Sequence, residues 1–231
     1  MEQGRCTAIV LAAGQGKRMH SKIQKQFLEI GGKPILYYSM ECFQKSPLIQ
    51  DIILVTGEDM ISYCQSEIVE KYGFTKVCKV TAGGKERYDS VYAGLLCCQD
   101  TDYVYIHDGA RPFVTEEMIQ RGYEAVKRTN ACVMGMPSKD TVKLADPSGY
   151  IKETPDRKIV WNIQTPQIFS YPEIYSAYQK AKQEGMQGIT DDAMVMEQFG
   201  HAKVKFIEGD YKNIKVTTPE DISVVESFLQ D

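Results

Sequence analysis

The residues most able to do chemistry lie near the start of the chain. Ala8-Ile9-Val10-Leu11-Ala12-Ala13-Gly14-Gln15-Gly16-Lys17-Arg18-Met19 is followed by Lys25-Gln26-Phe27. An apolar, β-branched run ends in alanines and glycines, and cations follow at once. Small residues leave backbone N–H groups bare and let a bulky anion approach them. A strand feeding such a loop is a frequent cradle for phosphates. Two standard glycine motifs fail here. A dinucleotide fingerprint needs a small residue where Met19 stands, and a P-loop needs Ser or Thr where Arg18 follows Lys17. Taken alone, the run equally describes a tight turn with cations pointing into water.

Further candidates come at later strand ends. Thr81-Ala82-Gly83-Gly84-Lys85-Glu86-Arg87 runs into a segment holding Ser90, and His107-Asp108-Gly109-Ala110-Arg111-Pro112 closes an apolar run. A carboxylate ending a buried strand is costly unless paired or metal-bound. Arg111 could pair with Asp108. Magnesium shared with substrate phosphates is the competing reading. Asn213 and Lys215 precede Thr217-Thr218-Pro219-Glu220-Asp221, which reads as a capped helix start with Thr218 as N-cap. Thr190-Asp191-Asp192-Ala193 reads the same way. His20, His107 and His201 have no metal-ligand spacing, and His107 reads as a hydrogen-bonding strand end. No Gly-x-Ser-x-Gly elbow points to a hydrolase.

The elements that must position these residues alternate. Strands are expected at Thr7 to Ala12, Asp51 to Thr56, Lys76 to Thr81, Asp102 to His107, Ala131 to Pro137 and Ala202 to Glu208. Helices are expected after Pro34, from Glu58 to Tyr72, after Gly84, after Thr115, from Pro172 to Glu184, from Asp191 to Phe199 and after Pro219. This rhythm predicts an α/β fold, a doubly wound and mostly parallel sheet with ligands outside the carboxyl ends of its strands. The 231 residues form one domain, 1–231. The rhythm breaks over residues 138–158, where Thr141 to Leu144 and Tyr150 to Glu153 flank an Asp-Pro-Ser-Gly turn. Such a hairpin is too poor in apolar residues to stand alone. It is expected to be a protruding arm shared across a homodimer.

Composition excludes some classes. A net charge of −4 argues against a general nucleic-acid binder. No apolar run nears the ~18 residues of a membrane span, and the first residues lack a secretory apolar region. The seven cysteines are scattered without Cys-x-x-Cys spacing. They read as reduced core residues, so a cytoplasmic protein is expected.

Together the motifs resemble a known family. Ala-Ala-Gly-x-Gly-x-Arg-Met, Lys-Gln-Phe, Gly-Gly-x-x-Arg-x-x-Ser-Val, His-Asp-x-Ala-Arg-Pro, Asp-Thr-Val-Lys, Gln-Thr-Pro-Gln-x-Phe, Thr-Asp-Asp-Ala and Asn-Ile-Lys-Val-Thr-Thr-Pro-Glu-Asp occur in one order along the chain. They resemble 2-C-methyl-D-erythritol 4-phosphate cytidylyltransferases. The resemblance implies a Rossmann-like nucleotidyltransferase sheet with a dimerisation arm. It implies transfer of CMP from CTP to the methylerythritol phosphate, in the non-mevalonate route to isoprenoid precursors.

Carried onto this sequence, the resemblance implies that Lys25 neutralises the α-phosphate and Arg18 holds the triphosphate. Gly14 and Gly16 offer N–H groups. Ala12, Ala13, Gly84 and Ser90 border cytidine, with Arg87 nearby. Asp108 holds Mg²⁺. Arg111, Thr141, Arg157 and Lys215 surround the acceptor, with Arg157 able to come from a partner chain. The sequence departs from the family in three places. Gln24 precedes Lys25 where proline is common, with Lys22 as a nearby rival, and Lys85 and Lys212 stand where some members carry acids. The competing readings are a ribitol-5-phosphate cytidylyltransferase and a non-catalytic nucleotide sensor.

Overall fold

A period-two apolar pattern builds a sheet with two buried faces. In β1 (Cys6–Ala12), Ala8 and Val10 join one core while Ile9 joins the other. In β4 (Ile49–Thr56), Ile52 and Leu54 face one side, Ile53 and Val55 the other. β6 (Tyr103–Asp108) divides Tyr105 from Val104 and Ile106 in the same way. Burying both faces of such strands is characteristic of parallel sheets covered by helices. Each fully buried Ile or Leu contributes about 2 kcal/mol. The computed structural model describes residues 3–14, 24–185 and 188–230.

The sheet is completed by β5 (Val77–Ala82), β7 (Ala131–Pro137), β10 (Trp161–Ser170) and β11 (Lys205–Glu208). Small hairpins pair β2 (Glu29–Ile30) with β3 (Lys33–Pro34) and β8 (Leu144–Ala145) with β9 (Ile151–Glu153). Strand order in the main sheet is β11-β7-β10-β6-β1-β4-β5. All neighbours pair parallel except β10, which is antiparallel to both β6 and β7. Helices α1 (Ile35–Lys45) and α4 (Glu116–Thr129) cover one face. The other is covered by α3 (Arg87–Leu95), α5 (Tyr171–Glu184) and α6 (Asp192–Phe199). The expected doubly wound α/β sheet is therefore present.

Local chemistry sets the helix ends. Thr115 accepts a hydrogen bond from the Met118 N–H at 3.3 Å, and Asn130 closes the helix in the left-handed region at φ 60°. Asp191 caps α6 by accepting from Met194 N–H at 3.0 Å. Helix α7 (Glu220–Gln230) starts just after Thr218 and Pro219. The Asp221 carboxylate accepts from the Thr217 and Thr218 N–H groups at 2.6 and 2.9 Å.

Several expectations are corrected. Residues 58–72 are helical but not one α-helix: a 3-10 turn leads into α2 (Ile61–Tyr63), and a π-helical stretch runs from Cys64 to Glu70. The strand expected at Ala202 to Glu208 begins only at Lys205. The hairpin of the arm is present but short, and Thr141 lies outside its strands. Cys78 is exposed, although Cys6, Cys64 and Cys132 are core residues. Burial pushes the thiols of Cys6 and Cys132 up to about 12, which leaves them uncharged and unreactive.

Candidate active site

Loops after β1, β5 and β6 meet at the carboxyl ends of these parallel strands. They enclose a cavity of about 610 Å³ lined by Ala13, Gly14, Lys25, Gln26, Gly84, Lys85, Glu86, Arg87, Ser90, Asp108, Ala110 and Lys215. Close approach of two loops explains one glycine. A Cβ on Gly83 would come within 2.5 Å of Ser90 Oγ and 2.9 Å of the Ala13 Cβ. Ser90 Oγ accepts from the Gly84 N–H at 3.2 Å and so braces the same loop.

Lys25 enters the cavity because its neighbours are anchored. It begins a single 3-10 turn, Lys25–Phe27, whose Gln26 and Phe27 are buried. The Gln26 side-chain amide donates to the Ala12 carbonyl at 2.5 Å and toward Gln24 Oε1 at 2.7 Å. Phe27 stands edge-on to Tyr63 with centroids 5.4 Å apart. Lys215 is held by its other neighbour. Val216 is fully buried with Ile30, Ile35 and Val225, and its N–H donates to the Ala110 carbonyl at 2.9 Å. The lysine therefore stands beside the loop that follows Asp108.

Asp108 sits between two cations. Arg87 Nε donates to one of its oxygens at 3.1 Å and Lys215 Nζ to the other at 2.7 Å. The Asp108 N–H donates to Thr165 Oγ1 at 3.0 Å. Burial works to raise the Asp108 carboxyl, but Arg87 and then Lys215 outweigh it and hold the group well below the usual carboxylate range. Asp108 is therefore ionised. His107 is fully buried and hydrogen-bonds Thr165 Oγ1 and the Arg111 carbonyl at 3.1 and 3.0 Å. Burial lowers it to about 4, so it is neutral and acts as the expected hydrogen-bonding strand end.

A second cavity of about 300 Å³ adjoins the first and is lined by Arg87, Asp108, Arg111, Ile163, Gln164, Thr165, Gln167, Thr190, Asp191 and Lys215. Arg87, Asp108 and Lys215 thus form a wall common to both cavities. Arg111 does not pair with Asp108. Its Nη1 donates to the Asn213 carbonyl at 2.8 Å, and its Nε is buried with no partner among the described residues. Burial lowers its pKa ahead of the opposing influence of Asp108.

The wall also bears on metal chemistry. Among the described residues, no group of three His, Cys, Asp or Glu side chains could form a dedicated cage. Asp108 nonetheless offers a hard carboxylate at both cavities. Magnesium is commonly held by one or two carboxylates with substrate phosphates and water. This donor set fits that mode.

Most of the residues singled out by sequence meet here: Ala13, Gly14, Lys25, Gly84, Arg87, Ser90, Asp108 and Lys215 in the first cavity, Arg111 in the second. Ala12 is buried and contributes its carbonyl to Gln26. Arg87 donates to the Asp108 and Asp192 carboxylates. Thr141 and Arg157 line neither cavity, and Arg157 donates to the Lys139 carbonyl at 3.1 Å. Gly16 and Arg18 lie outside the described residues. Thr165, Gln167 and Asp192 escaped the sequence reading, because the first two sit on an antiparallel strand that interrupts the alternating rhythm. Asp192 stands in the Thr-Asp-Asp-Ala motif and a capped helix start, with no role of its own legible there. The Gln-Thr-Pro-Gln run was the available signal.

The chain matches the model of the 2-C-methyl-D-erythritol 4-phosphate cytidylyltransferase family over residues 6–231. It is 49% identical over 225 residues to the protein of that name from Lachnospira eligens, covering 97% of this chain and 99% of that one. It is 46% identical to the one from Caldanaerobacter subterraneus, covering 97% of this chain and 98% of that one. The crystal structure of 4-diphosphocytidyl-2C-methyl-D-erythritol synthase from Anaerococcus prevotii superposes with a TM-score of 0.87 at 35% identity. That match covers 99% of this chain and 97% of the crystallised one. On a fold, a site and relatives that agree along its length, the chain belongs to the 2-C-methyl-D-erythritol 4-phosphate cytidylyltransferase family of nucleotidyltransferases.

Proposed function

We propose that the larger cavity holds CTP and the smaller one 2-C-methyl-D-erythritol 4-phosphate. The enzyme transfers CMP to that acceptor and releases pyrophosphate, supplying the non-mevalonate route to isoprenoid precursors. One observation carries the reading: two cavities share a wall of Arg87, Asp108 and Lys215. Two anionic substrates reacting with each other need adjoining subsites with cations at the junction.

An acceptor phosphate oxygen attacks the α-phosphorus of CTP. A new P–O bond forms as the bond to the β-phosphate oxygen breaks, and the electron pair leaves with pyrophosphate. The attacking oxygen is already anionic, so no general base is required. Catalysis reduces to orientation and charge stabilisation. Lys25 neutralises the α-phosphate, and Gly14 with Gly16 offers backbone N–H groups. Arg18 grips the triphosphate. Gly84 and Ser90 border the cytidine with Ala12 and Ala13. Lys215 and Arg111 orient the acceptor, completed by Thr141 and Arg157 from the arm. Asp108 would hold Mg²⁺, which would screen the charge on the triphosphate.

The arm supports a homodimer. Tyr150 and Ile151 in the two-stranded hairpin, and Ile159 in the 3-10 turn Arg157–Ile159 that follows it, are 74%, 67% and 75% exposed. Apolar side chains so placed gain nothing until covered by a second surface. Ile151→Asp with Ile159→Asp is expected to convert the dimer to monomer in analytical ultracentrifugation and to raise KM for the acceptor at least about tenfold. A wild-type monomer would overturn the assignment. No helix among the described residues is long and apolar enough to cross a membrane. We assign the enzyme to the cytoplasm.

Pyrophosphate release from CTP, measured with each polyol phosphate supplied separately, tests the reading. Turnover is expected with methylerythritol phosphate. Turnover with ribitol 5-phosphate alone would reassign the acceptor, and release with neither would favour a nucleotide sensor.

A further inference from the structure

A second carboxylate sits behind the shared wall. Asp192 is fully buried at the first turn of α6 and meets Arg87 face-on, with Arg87 Nη1 and Nη2 donating to its two oxygens at 3.0 and 2.8 Å. The same guanidinium meets Asp108 through its Nε. Tyr178, also fully buried, donates its hydroxyl to Asp192 Oδ1 at 2.6 Å. The Asp192 N–H and the Ala193 N–H both donate to Gln167 Oε1 at 2.9 Å. Gln167 also donates to the N-cap, Asp191, at 2.8 Å. Asp192 is therefore held by Tyr178 through its carboxylate and by Gln167 through its backbone, with both oxygens turned to Arg87.

A bidentate carboxylate–guanidinium pair is the stronger and more directional form of ion pairing. With its fork committed to Asp192, Arg87 cannot close its two terminal nitrogens on Asp108. Its positive charge is largely offset from behind. We infer that Asp192 is a positioning residue: it holds Arg87 at the junction of the two cavities and offsets its charge, so that the Asp108 carboxylate stays able to receive a divalent cation carried by the nucleotide. This rests on the proposal that the larger cavity holds CTP.

The prediction concerns a ratio. Removing the Asp192 charge frees Arg87 to act on Asp108 and on phosphate. The site then attracts metal-free CTP at least as well as before and metal-bound CTP less well. A merely structural role would weaken both forms together. We would measure CTP binding by calorimetry, once with EDTA and once with Mg²⁺, on wild type, Asp192→Asn and the double variant Arg87→Gln/Asp192→Asn. For Asp192→Asn the preference for the magnesium form is expected to fall at least about fivefold, with metal-free affinity not reduced. Removing the arginine as well is expected to bring the preference back within about twofold of wild type.

A preference unchanged within about twofold in Asp192→Asn overturns the inference, as does failure of the double variant to restore it. If the single variant does not fold, the double variant decides, since it deletes a buried charge pair as a unit. A preference more than about fivefold below wild type there overturns the inference. Wild-type protein that binds no CTP would instead sink the functional assignment on which this rests.

Discussion

Lys25→Ala is expected to lower kcat by at least about 100-fold, the scale of losing one charge contact made to the transition state. The expected change falls on kcat because negative charge on the α-phosphoryl oxygens is redistributed as the bond to pyrophosphate stretches. A lysine that merely bound the triphosphate would change KM and leave kcat near normal. The variant is expected to remain folded. The turn that carries Lys25 is anchored by Gln26 on the Ala12 carbonyl and by Phe27 against Tyr63, neither of which the substitution touches. Single-turnover measurement of CMP transfer at saturating CTP checks this. A near-normal rate would refute the assigned role and direct attention to Lys22.

The second large effect is expected at Asp108. Asp108→Ala is predicted to reduce kcat/KM for CTP by about 10³-fold, at the upper end for removing one preorganised electrostatic group. It removes the carboxylate from a wall that both cavities share, leaving Lys215 without the partner it meets at 2.7 Å. Breaking a buried pair usually costs about 3–5 kcal/mol of stability. Here the loss should be smaller, because Arg87 keeps Asp192 and the Lys215 side chain is 34% exposed. The expected signature is therefore a folded protein, melting a few degrees lower, that has lost dependence on added Mg²⁺. Retained metal dependence with near-normal turnover would show that another group holds the cation.

How far the site was legible depended on where each residue sits along the chain. Gly14 and Asp108 could be singled out because each closes an apolar run whose end is readable from composition, Lys25 and Lys215 because each stands in a motif of the family the chain resembles. A parallel sheet gathers such ends on one edge, so local pattern was enough to bring them together. Arg111 shows the limit. Its spacing from Asp108 suggested a pair, but the chain turns so that it donates to the carbonyl of Asn213, a residue 102 positions away. Asp108 takes Arg87 and Lys215 instead, which are separated from it by 21 and 107 residues. No local rule ranks partners at those separations.

Strand β10 is the clearest failure of pattern reading. Its Gln164, Thr165 and Gln167 are polar yet buried, and its pairing with β7 shifts register between Ile163 and Gln167. Period-two apolarity is erased where a strand carries functional side chains inward. The same residues then organise the second cavity: Thr165 braces Asp108 and His107, and Gln167 seats the start of α6.

By itself, the amino-acid sequence determined the alternation of strands and helices, the glycine-rich turn with its cations, and the family. All of these are written in short-range periodicity and residue type. Only the tertiary structure decided that β10 runs antiparallel through the sheet, that Asp108 and Asp192 divide one guanidinium, and that two cavities share a charged wall. Those outcomes depend on which distant groups satisfy each other's charge and hydrogen bonds once water is excluded, a competition settled by the packed whole.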